Sequence, residues 1–503
     1  MEDRYTRLVE RLGEVQDITG AAGILAWDQR TKMPEAGAGA RADQLATLTR
    51  LAFERFTADE IGTLLDELDD WGTSLDYDSV EAGLLRTTRW DYEKATRVPI
   101  ELRAEMVRAG ALAEPVWREA RRTSDFELFR PYLEQNVELK KRYIECFQPV
   151  DEPYDALLDD FEPGVKTAEV RAVFDELKTG LVPLVAEIAE RADAVDDSAL
   201  NGDFPVERQA RFEAGVLHAF GFIDEEWRVD ETVHPFASKG GPRDVRLTTN
   251  HHETDLTSLF ASMHEFGHGL YEYQVDRDLY RTPLGRGASL GFHESQSRMW
   301  ENLIGRSLPF WEHFFPGLAE IFPDAFGGLD AEAVYRAVNR VRPSLIRIHA
   351  DECTYNLHII LRFELEQELV SGRLAAADAQ AAWDAKVEEY LGIDVPDVAD
   401  GVLQDMHWSG GAIGYFPTYA LGNVISAQLW ERIGRELPGL EDQVRAGELA
   451  DLRDWLRQNV HRHGRKYLPG ELLERTVGGG LDPQPLLRYL REKFGDIYGL
   501  NGS

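Results

Sequence analysis

The sequence contains only two cysteines among its 503 residues, Cys146 and Cys353. Two cysteines give no disulfide framework and do not match the paired spacing of a zinc ribbon. The amino-terminal stretch MEDRYTRLVERLGEVQ is charged and lacks the apolar segment of a secretory signal. We therefore expect a cytoplasmic location.

Long hydrophobic runs and basic side chains are also scarce. No apolar stretch approaches the ~20 residues that a membrane-spanning helix requires. The 55 basic residues, ten of which are Lys, face 90 acidic ones, so the formal net charge at pH 7 is −35. This charge repels nucleic acid and anionic membranes, and neither is an expected partner. Abundant Asp and Glu with little Lys favours a halophilic protein, in which high salt screens self-repulsion; an ordinary acidic cytoplasmic protein is the alternative.

Helical periodicity dominates the rest of the sequence. Over residues 167–181, apolar side chains recur at i, i+3, i+4, i+7 and i+11, with Thr167 placed to cap the helix. Pro183 is expected to kink or end that helix. A second long helix is predicted approximately from Ser344 to Val370, with Gly372 as its stop.

Residues 226–249 break the helical pattern. They contain β-branched residues, alternation and a KGGP turn, which predict a small antiparallel sheet. The fold class is therefore mainly α: one large helical domain over residues 1–503 with a small antiparallel β-sheet next to the helix that follows it. Two helical lobes flanking a cleft are the alternative organisation.

The stretch HEFGH follows this sheet. On a helix, His264 and His268 lie one turn apart on the same face, and Glu265 projects about 100° away. Two imidazoles at this spacing suit Zn²⁺, and Glu265 is placed to act as the general base. Glu294, 26 residues after His268, is the candidate third ligand on a second, antiparallel helix, and His293 beside it is expected to pack or support the site. The alternative is that these are ordinary surface or core histidines.

A glycine-rich stretch, residues 401–422, is the candidate source of oxyanion donors. It contains His407, Tyr415 and Tyr419 and leads into a predicted helix. Its glycines permit close approach of the backbone to a ligand, or hinge motion. A packed aromatic turn is the alternative interpretation.

Six ordered motifs make the chain similar to a known family. They are HPF (His234–Phe236), DxRxT (Asp244–Thr248), HExxH (His264–His268), HESQ (His293–Gln296), IRxxAD (Ile346–Asp351) and GxxQDxHW (Gly401–Trp408). Together with matching stretches at both ends, they resemble the carboxypeptidase Taq family, peptidase family M32, over essentially the whole length.

The resemblance implies metal ligands His264, His268 and Glu294, with Glu265 as general base and acid. It implies Zn²⁺, with Co²⁺ possible, a helical fold with a deep substrate groove, and a homodimer. The GFHES segment also resembles the third-ligand stretch of angiotensin-converting-type peptidases. By that more distant resemblance, His407 and Tyr415 steady the oxyanion, with Tyr419 as the alternative.

A carboxypeptidase must recognise the free carboxylate of its substrate, and an Arg side chain suits that task. Arg347 is the first candidate, since on a helix it would share a face with Asp351 and Tyr355. A solvated ion pair is the alternative for it. Arg246 in the predicted strand is the second candidate reader, and His234 is a candidate wall of a substrate subsite.

The expected function is zinc-dependent hydrolysis of the C-terminal peptide bond of peptides, releasing single amino acids with broad specificity. The expected partners are therefore peptides with a free C-terminus. A peptidyl-dipeptidase or oligoendopeptidase with the same metal site is one alternative. A non-catalytic, zinc-stabilised helical binding protein is the other.

Overall fold

The computed structural model describes residues 1–500, and 68% of the chain is helical. The first helices are α1 (Glu2–Thr31), α2 (Ala38–Phe56), α3 (Asp59–Ser74), α4 (Val80–Arg97), α5 (Ile100–Thr123), α6 (Phe126–Glu145), α7 (Asp155–Leu158), α8 (Thr167–Ala189) and α9 (Val206–Phe220). The middle of the chain forms α10 (Thr257–Gln274), α11 (Leu290–Arg298), α12 (Leu308–Ile321), α13 (Pro323–Phe326), α14 (Ala331–Val338), α15 (Tyr355–Ser371) and α16 (Ala379–Leu391). The last helices are α17 (Pro417–Glu436), α18 (Leu440–Ala446), α19 (Ala450–Asn459), α20 (Pro469–Val477) and α21 (Gln484–Tyr498). A π-helix, Met299–Ile304, continues α11, and 3₁₀ turns form at Glu35–Gly37, Ala192–Ala194, Ser198–Leu200, Arg277–Leu279, Arg347–His349, Ala376–Asp378 and His461–His463.

The predicted sheet is confirmed, but it is mixed rather than purely antiparallel. Its strands are β1 (Trp227–Glu231), β2 (Ser238–Gly241) and β3 (Asp244–Thr249), in the order β1-β3-β2. β2 and β3 form the antiparallel pair, and the turn between them is at Pro242 and Arg243, whereas β1 runs parallel to β3. The parallel pairing was missed because β3 lies between β1 and β2, which run in opposite directions, and the sequence pattern does not reveal this strand order.

The chain divides into two compact units, each built from three separate stretches. The first unit comprises residues 1–96, 197–338 and 429–477. The second comprises residues 97–196, 339–428 and, of the described residues, 478–500. The sheet, α10 and α11 belong to the first unit, and the 401–422 stretch belongs to the second. That residues 1–503 form one functional domain stays a prediction.

Helix α10 is fixed in the first unit by its contacts with the sheet. Gly269 faces the side chains of Val245, Leu247 and Trp227, so this side of α10 lies on the sheet. Phe266 is fully buried and stacks on Trp227, with ring centroids 5.3 Å apart. These contacts set the rotation of α10 and therefore the direction in which its histidines point.

One predicted helix of the second unit is confirmed and the other is shorter than expected. The periodic apolar residues of 167–181 are buried in α8, and Pro183 lies inside that helix instead of ending it. The helix predicted from Ser344 starts only at Tyr355, after the 3₁₀ turn Arg347–His349, and ends at Gly372 as expected.

The late start of α15 has a local cause. The Asp351 carboxylate accepts hydrogen bonds from the backbone N–H groups of Arg342, Cys353 and Thr354. These bonds stabilise a turn at the point where a continuous helix was expected. Arg347 and Asp351 therefore do not share a helix face with Tyr355.

Within the described residues 1–500, no helix is both long and apolar enough to span a bilayer.

Candidate metal and catalytic site

The two histidines of HEFGH meet Glu294 where α10 packs on α11. The Nε2 atoms of His264 and His268 each lie 3.6 Å from Oε2 of Glu294. Contacts between the two helices pair earlier residues of α10 with later residues of the α11 segment. Between them, Gly267 lies against Gln296 and Ser297. The helices are therefore antiparallel, as predicted, and the three candidate ligands converge.

These three residues fit a metal ion. One potential ligand atom from each of His264, His268 and Glu294 lies within 4.8 Å of the other two, and among residues 1–500 no other group of His, Cys, Asp and Glu meets this condition. Nitrogen and carboxylate oxygen donors this close together can contact a single ion at once. The Glu294 side chain is almost fully buried, so its charge lacks full hydration and favours a cation beside it.

Carboxylates and an arginine fix the His264 side of the site. Nδ1 of His264 lies 2.8 Å from Oε2 of Glu301, which leaves Nε2 directed toward Glu294. Arg298 donates to Oε1 of Glu294 and to Oε2 of Glu301. Burial would raise the pKa of Glu301, but Arg298 and His264 lower it to about 2, so this carboxylate is charged at neutral pH. Such support orients a ligating histidine.

A different group supports His268. Its Nδ1 lies 3.0 Å from Nδ1 of His293, and Nε2 of His293 lies 2.7 Å from Oε1 of Glu272. Glu272 also pairs with Lys239. His293 thus lies beside a candidate ligand without being one, as the sequence predicted.

Glu265 lies on the same helix as the histidines and is only 6% exposed. Burial raises its pKa to about 7, and the charges of Glu294 and Glu301 add to this effect, while His264 and a hydrogen bond from the Ala237 backbone oppose it. Its Oε2 atom is buried and has no hydrogen-bond partner within residues 1–500. A carboxyl group with this pKa and a free oxygen suits proton transfer near neutral pH.

Comparisons with known proteins identify the family. A family model described as carboxypeptidase Taq (M32) metallopeptidase matches residues 7–494. The chain is 41% identical over 510 residues to thermostable carboxypeptidase 1 of Thermus thermophilus, with 99% of each chain covered. It is 37% identical over 498 residues to carboxypeptidase 1 of Bacillus subtilis, covering 99% of this chain and 98% of the relative. The crystal structure of an M32 carboxypeptidase from Deinococcus radiodurans R1 matches with a TM-score of 0.94 and 41% identity, covering 99% of this chain and 100% of that one.

The chain belongs to the carboxypeptidase Taq (M32) family. It is therefore a metallocarboxypeptidase, a hydrolase that uses a metal ion.

The second unit of this M32 peptidase contains the first candidate reader of the substrate carboxylate, Arg347. Its guanidinium donates to Oδ1 of Asp405 through Nε and Nη2, at 3.1 and 2.8 Å, and Nη1 donates to the Tyr355 hydroxyl at 3.2 Å. The other oxygen of Asp405 accepts from Arg362. The expected partner Asp351 is replaced by Asp405, which lies 58 residues away in sequence. The expected contact with Tyr355 forms, although the shared helix does not.

The cluster of Arg347, Arg362 and Asp405 carries two positive charges and one negative charge. The side chain of Arg362 is fully buried, whereas that of Arg347 retains 8% exposure. Burial alone would raise the pKa of Asp405, but the two guanidiniums hold it well below its ordinary value. Of the two guanidinium side chains, only that of Arg347 therefore presents any surface.

The aromatic residues of the 401–422 stretch lie beside this cluster. The ring centroids of His407 and Tyr415 are 5.4 Å apart, and those of Tyr415 and Tyr419 are 5.3 Å apart. Burial lowers the pKa of His407 to about 4, so its imidazole is neutral at pH 7. The structure brings His407, Tyr415 and Tyr419 together within the second unit.

Buried polar side chains anchor the glycine-rich stretch. Asn136 donates to the carbonyl oxygens of Trp408 and Ser409. Glu366 accepts from the indole N–H of Trp408 at 2.8 Å and from the backbone N–H of Gly414 at 3.0 Å. Gly414 has a φ of +101° and lies against the Leu157 backbone, so a side chain there would be strained. Gly414 thus serves a tightly packed turn.

The two remaining candidates have other surroundings. The Arg246 guanidinium makes two hydrogen bonds to Asp244 and lies over the Trp27 ring. His234 is exposed, in the segment between β1 and β2. The contacts of Arg246 and His234 do not link them to the three metal-ligand candidates.

Sequence reasoning missed several residues in each unit. In the first unit they are Glu301, Glu272 and Lys239, which support the metal-ligand candidates. In the second unit they are Asp405 and Arg362, the ion-pair partners around Arg347. Two signals were present in the sequence. Glu301 follows Glu294 by seven residues, about two helical turns. Asp405 lies in the QDxHW motif itself.

Proposed function

We propose that this M32 enzyme is a zinc carboxypeptidase that releases single C-terminal amino acids from peptides with broad specificity. The observation that carries the proposal is the His264–His268–Glu294 trio beside the buried carboxyl group of Glu265. A tetrahedral zinc ion with ligands at about 2.1 Å keeps its ligand atoms about 3.4 Å apart. The two separations of 3.6 Å between histidine nitrogen and Glu294 oxygen are close to that value. Cobalt, with similar coordination, is the alternative metal.

In this proposal His264, His268 and Glu294 hold the ion, which supplies Lewis acidity for the scissile carbonyl and the attacking water when bound. Glu265 takes a proton from the attacking water and returns it to the leaving amine. His407 and Tyr415 donate hydrogen bonds to the oxyanion, with Tyr419 as the alternative donor. The assignment of these three residues depends on the resemblance to angiotensin-converting-type peptidases and on the neutral state of His407.

Removal and return of the metal is the first test. Treatment with a chelator should abolish hydrolysis of a blocked dipeptide, and stoichiometric Zn²⁺ should restore it, because the carbonyl loses its Lewis acid. The assay is run in several molar salt and at low salt, so that it also tests the halophilic prediction. Full activity in a metal-free preparation would contradict the proposal. Mass spectrometry of products from longer peptides distinguishes single residues from the dipeptides that a peptidyl-dipeptidase releases.

We further propose that Arg347 binds the substrate carboxylate. Replacing Arg347 with Ala should raise KM by about 10- to 100-fold for peptides with a free C-terminus, since a charge-assisted hydrogen bond is lost. The change should be much smaller for the same peptides with an amidated C-terminus. Steady-state kinetics on matched acid and amide substrates provide the measurement.

Arg246→Ala is the matched variant for this comparison, because Arg246 is the second candidate reader. Equal effects of Arg347→Ala on both substrates would remove the assignment. If Arg246→Ala instead raises KM selectively for the peptides with a free C-terminus, the role of binding the substrate carboxylate belongs to Arg246 of β3. A homodimeric state and a cytoplasmic location stay predictions beside these proposals.

A further inference from the structure

We propose that His293, Glu272 and Lys239 form a relay that fixes the tautomer and orientation of His268 for metal binding. The inference rests on the proposed metal site. The relay starts at Nδ1 of His268, which lies 3.0 Å from Nδ1 of His293. It continues from Nε2 of His293 to Oε1 of Glu272, at 2.7 Å. It ends at the ammonium group of Lys239, which pairs with the other oxygen of Glu272.

The chemistry of the end groups sets the direction of every hydrogen bond in the relay. An ionised carboxylate only accepts, so Nε2 of His293 must carry a proton and donate it to Glu272. Nδ1 of a neutral His293 then has a free lone pair and accepts from Nδ1–H of His268. With its proton on Nδ1, neutral His268 has an unprotonated Nε2, and this is the atom directed at Glu294. The charge of Glu272 thus determines, through His293, which nitrogen of His268 can bind metal.

Other contacts hold the relay in this geometry. The backbone N–H of Gly287 donates to Oε1 of Glu272 at 2.9 Å, and Lys239 donates to the carbonyl oxygen of Gly285 at 2.6 Å. The Tyr271 ring lies 5.0 Å from the His293 ring. A Cβ at position 287 would lie 2.7 Å from the His293 ring, so the backbone lies directly against the imidazole. The ring therefore has little freedom to rotate.

The two histidine ligands are supported unequally. His264 contacts the carboxylate of Glu301 directly, at 2.8 Å. His268 meets its carboxylate only through a second imidazole. If the proton of His293 moved to Nδ1, it would face the Nδ1–H group of His268. To avoid this contact, His268 would have to carry its own proton on Nε2. That tautomer cannot bind metal, so loss of Glu272 or Lys239 should weaken a metal site that neither residue touches.

The test measures the zinc dissociation constant of the metal-free protein by competition with a chromophoric chelator. His293→Phe, which keeps a ring but removes both nitrogens, should weaken zinc binding by about 10- to 100-fold. His293→Gln should retain more affinity, because its amide has both an acceptor for His268 and a donor for Glu272. Glu272→Gln and Lys239→Met should each weaken binding, the second by less. His252→Phe is the control, since His252 is exposed.

A second measurement separates the relay from simple packing. Urea unfolding of each metal-free variant reports loss of structure, and each zinc affinity is measured where that variant is fully folded. Glu272→Gln should unfold at a lower urea concentration than the wild type, because the Lys239 ammonium loses its carboxylate. Equal zinc affinity in His293→Phe and His252→Phe would overturn the relay, as would equal losses in His293→Phe and His293→Gln. Failure of the wild-type protein to bind zinc would instead overturn the proposed function and the relay with it.

Discussion

Glu265→Gln should lower kcat for peptide hydrolysis by about 10²- to 10⁴-fold while leaving bound metal unchanged, because general acid–base catalysis contributes an effect of this size. The substitution keeps the shape of the side chain and its place in the buried helix face. It removes the carboxylate that we propose as the acceptor of the proton of the attacking water. Stopped or steady-state assays give kcat, and elemental analysis gives the metal content of the same sample.

Glu10→Gln is a matched control, since Glu10 is an exposed carboxylate on α1. It should leave both kcat and metal content at the wild-type level. The comparison also separates the enzyme from a zinc-stabilised binding protein. Both would keep metal and fold after Glu265→Gln, but only the enzyme has turnover to lose. Full turnover in a metal-loaded Glu265→Gln variant would remove Glu265 from the reaction.

Gly267→Ala should disable the site from a position that contacts neither metal nor substrate. A Cβ at position 267 would lie 2.6 Å from Cα of Ser297 and closer still to the carbonyl oxygen of Gln296. Both are backbone atoms, so α11 must move, and it carries Glu294. A displacement of about 1 Å at a catalytic centre costs on the order of 100-fold in rate. We expect such a loss in kcat/KM, weaker zinc binding, and an unfolding free energy lower by about 1–3 kcal/mol from overpacking.

Gly215→Ala provides the control for Gly267→Ala. Gly215 is an exposed glycine of α9, and a Cβ there has no atom of residues 1–500 within 4 Å apart from its own helix backbone. Because Ala is the better helix former, this change should stabilise the protein by up to about 1 kcal/mol and leave activity unchanged. A Gly267→Ala variant that behaves like Gly215→Ala would show that α10 and α11 tolerate separation.

The helix pair that carries the metal-ligand candidates was predictable because its signals are local. The i, i+4 spacing of His264 and His268 places them on one helix face, and the glycine-rich turn before Glu294 returns the chain. Periodicity likewise predicted α8, whose apolar residues are buried as expected.

Features that depend on distant parts of the chain were not predictable in this way. The pairing of Arg347 with Asp405 spans 58 residues, and no spacing rule connects them. The parallel pairing of β1 with β3 depends on the path of the intervening segment. The start of α15 depends on the competition between the Asp351 side chain and the helix for backbone N–H groups, which apolar periodicity does not report.

The division of each unit into three sequence stretches has a consequence for making and folding the protein. No single cut in the chain releases either unit intact, so truncated forms should be poor substitutes for the full chain. Residues 264–301, which include the metal-ligand candidates, are contiguous, yet the units around them form only after remote stretches meet. Closing such large loops is slow compared with helix formation. A nascent chain should therefore display helices, including the histidine pair, well before it acquires a competent metal site.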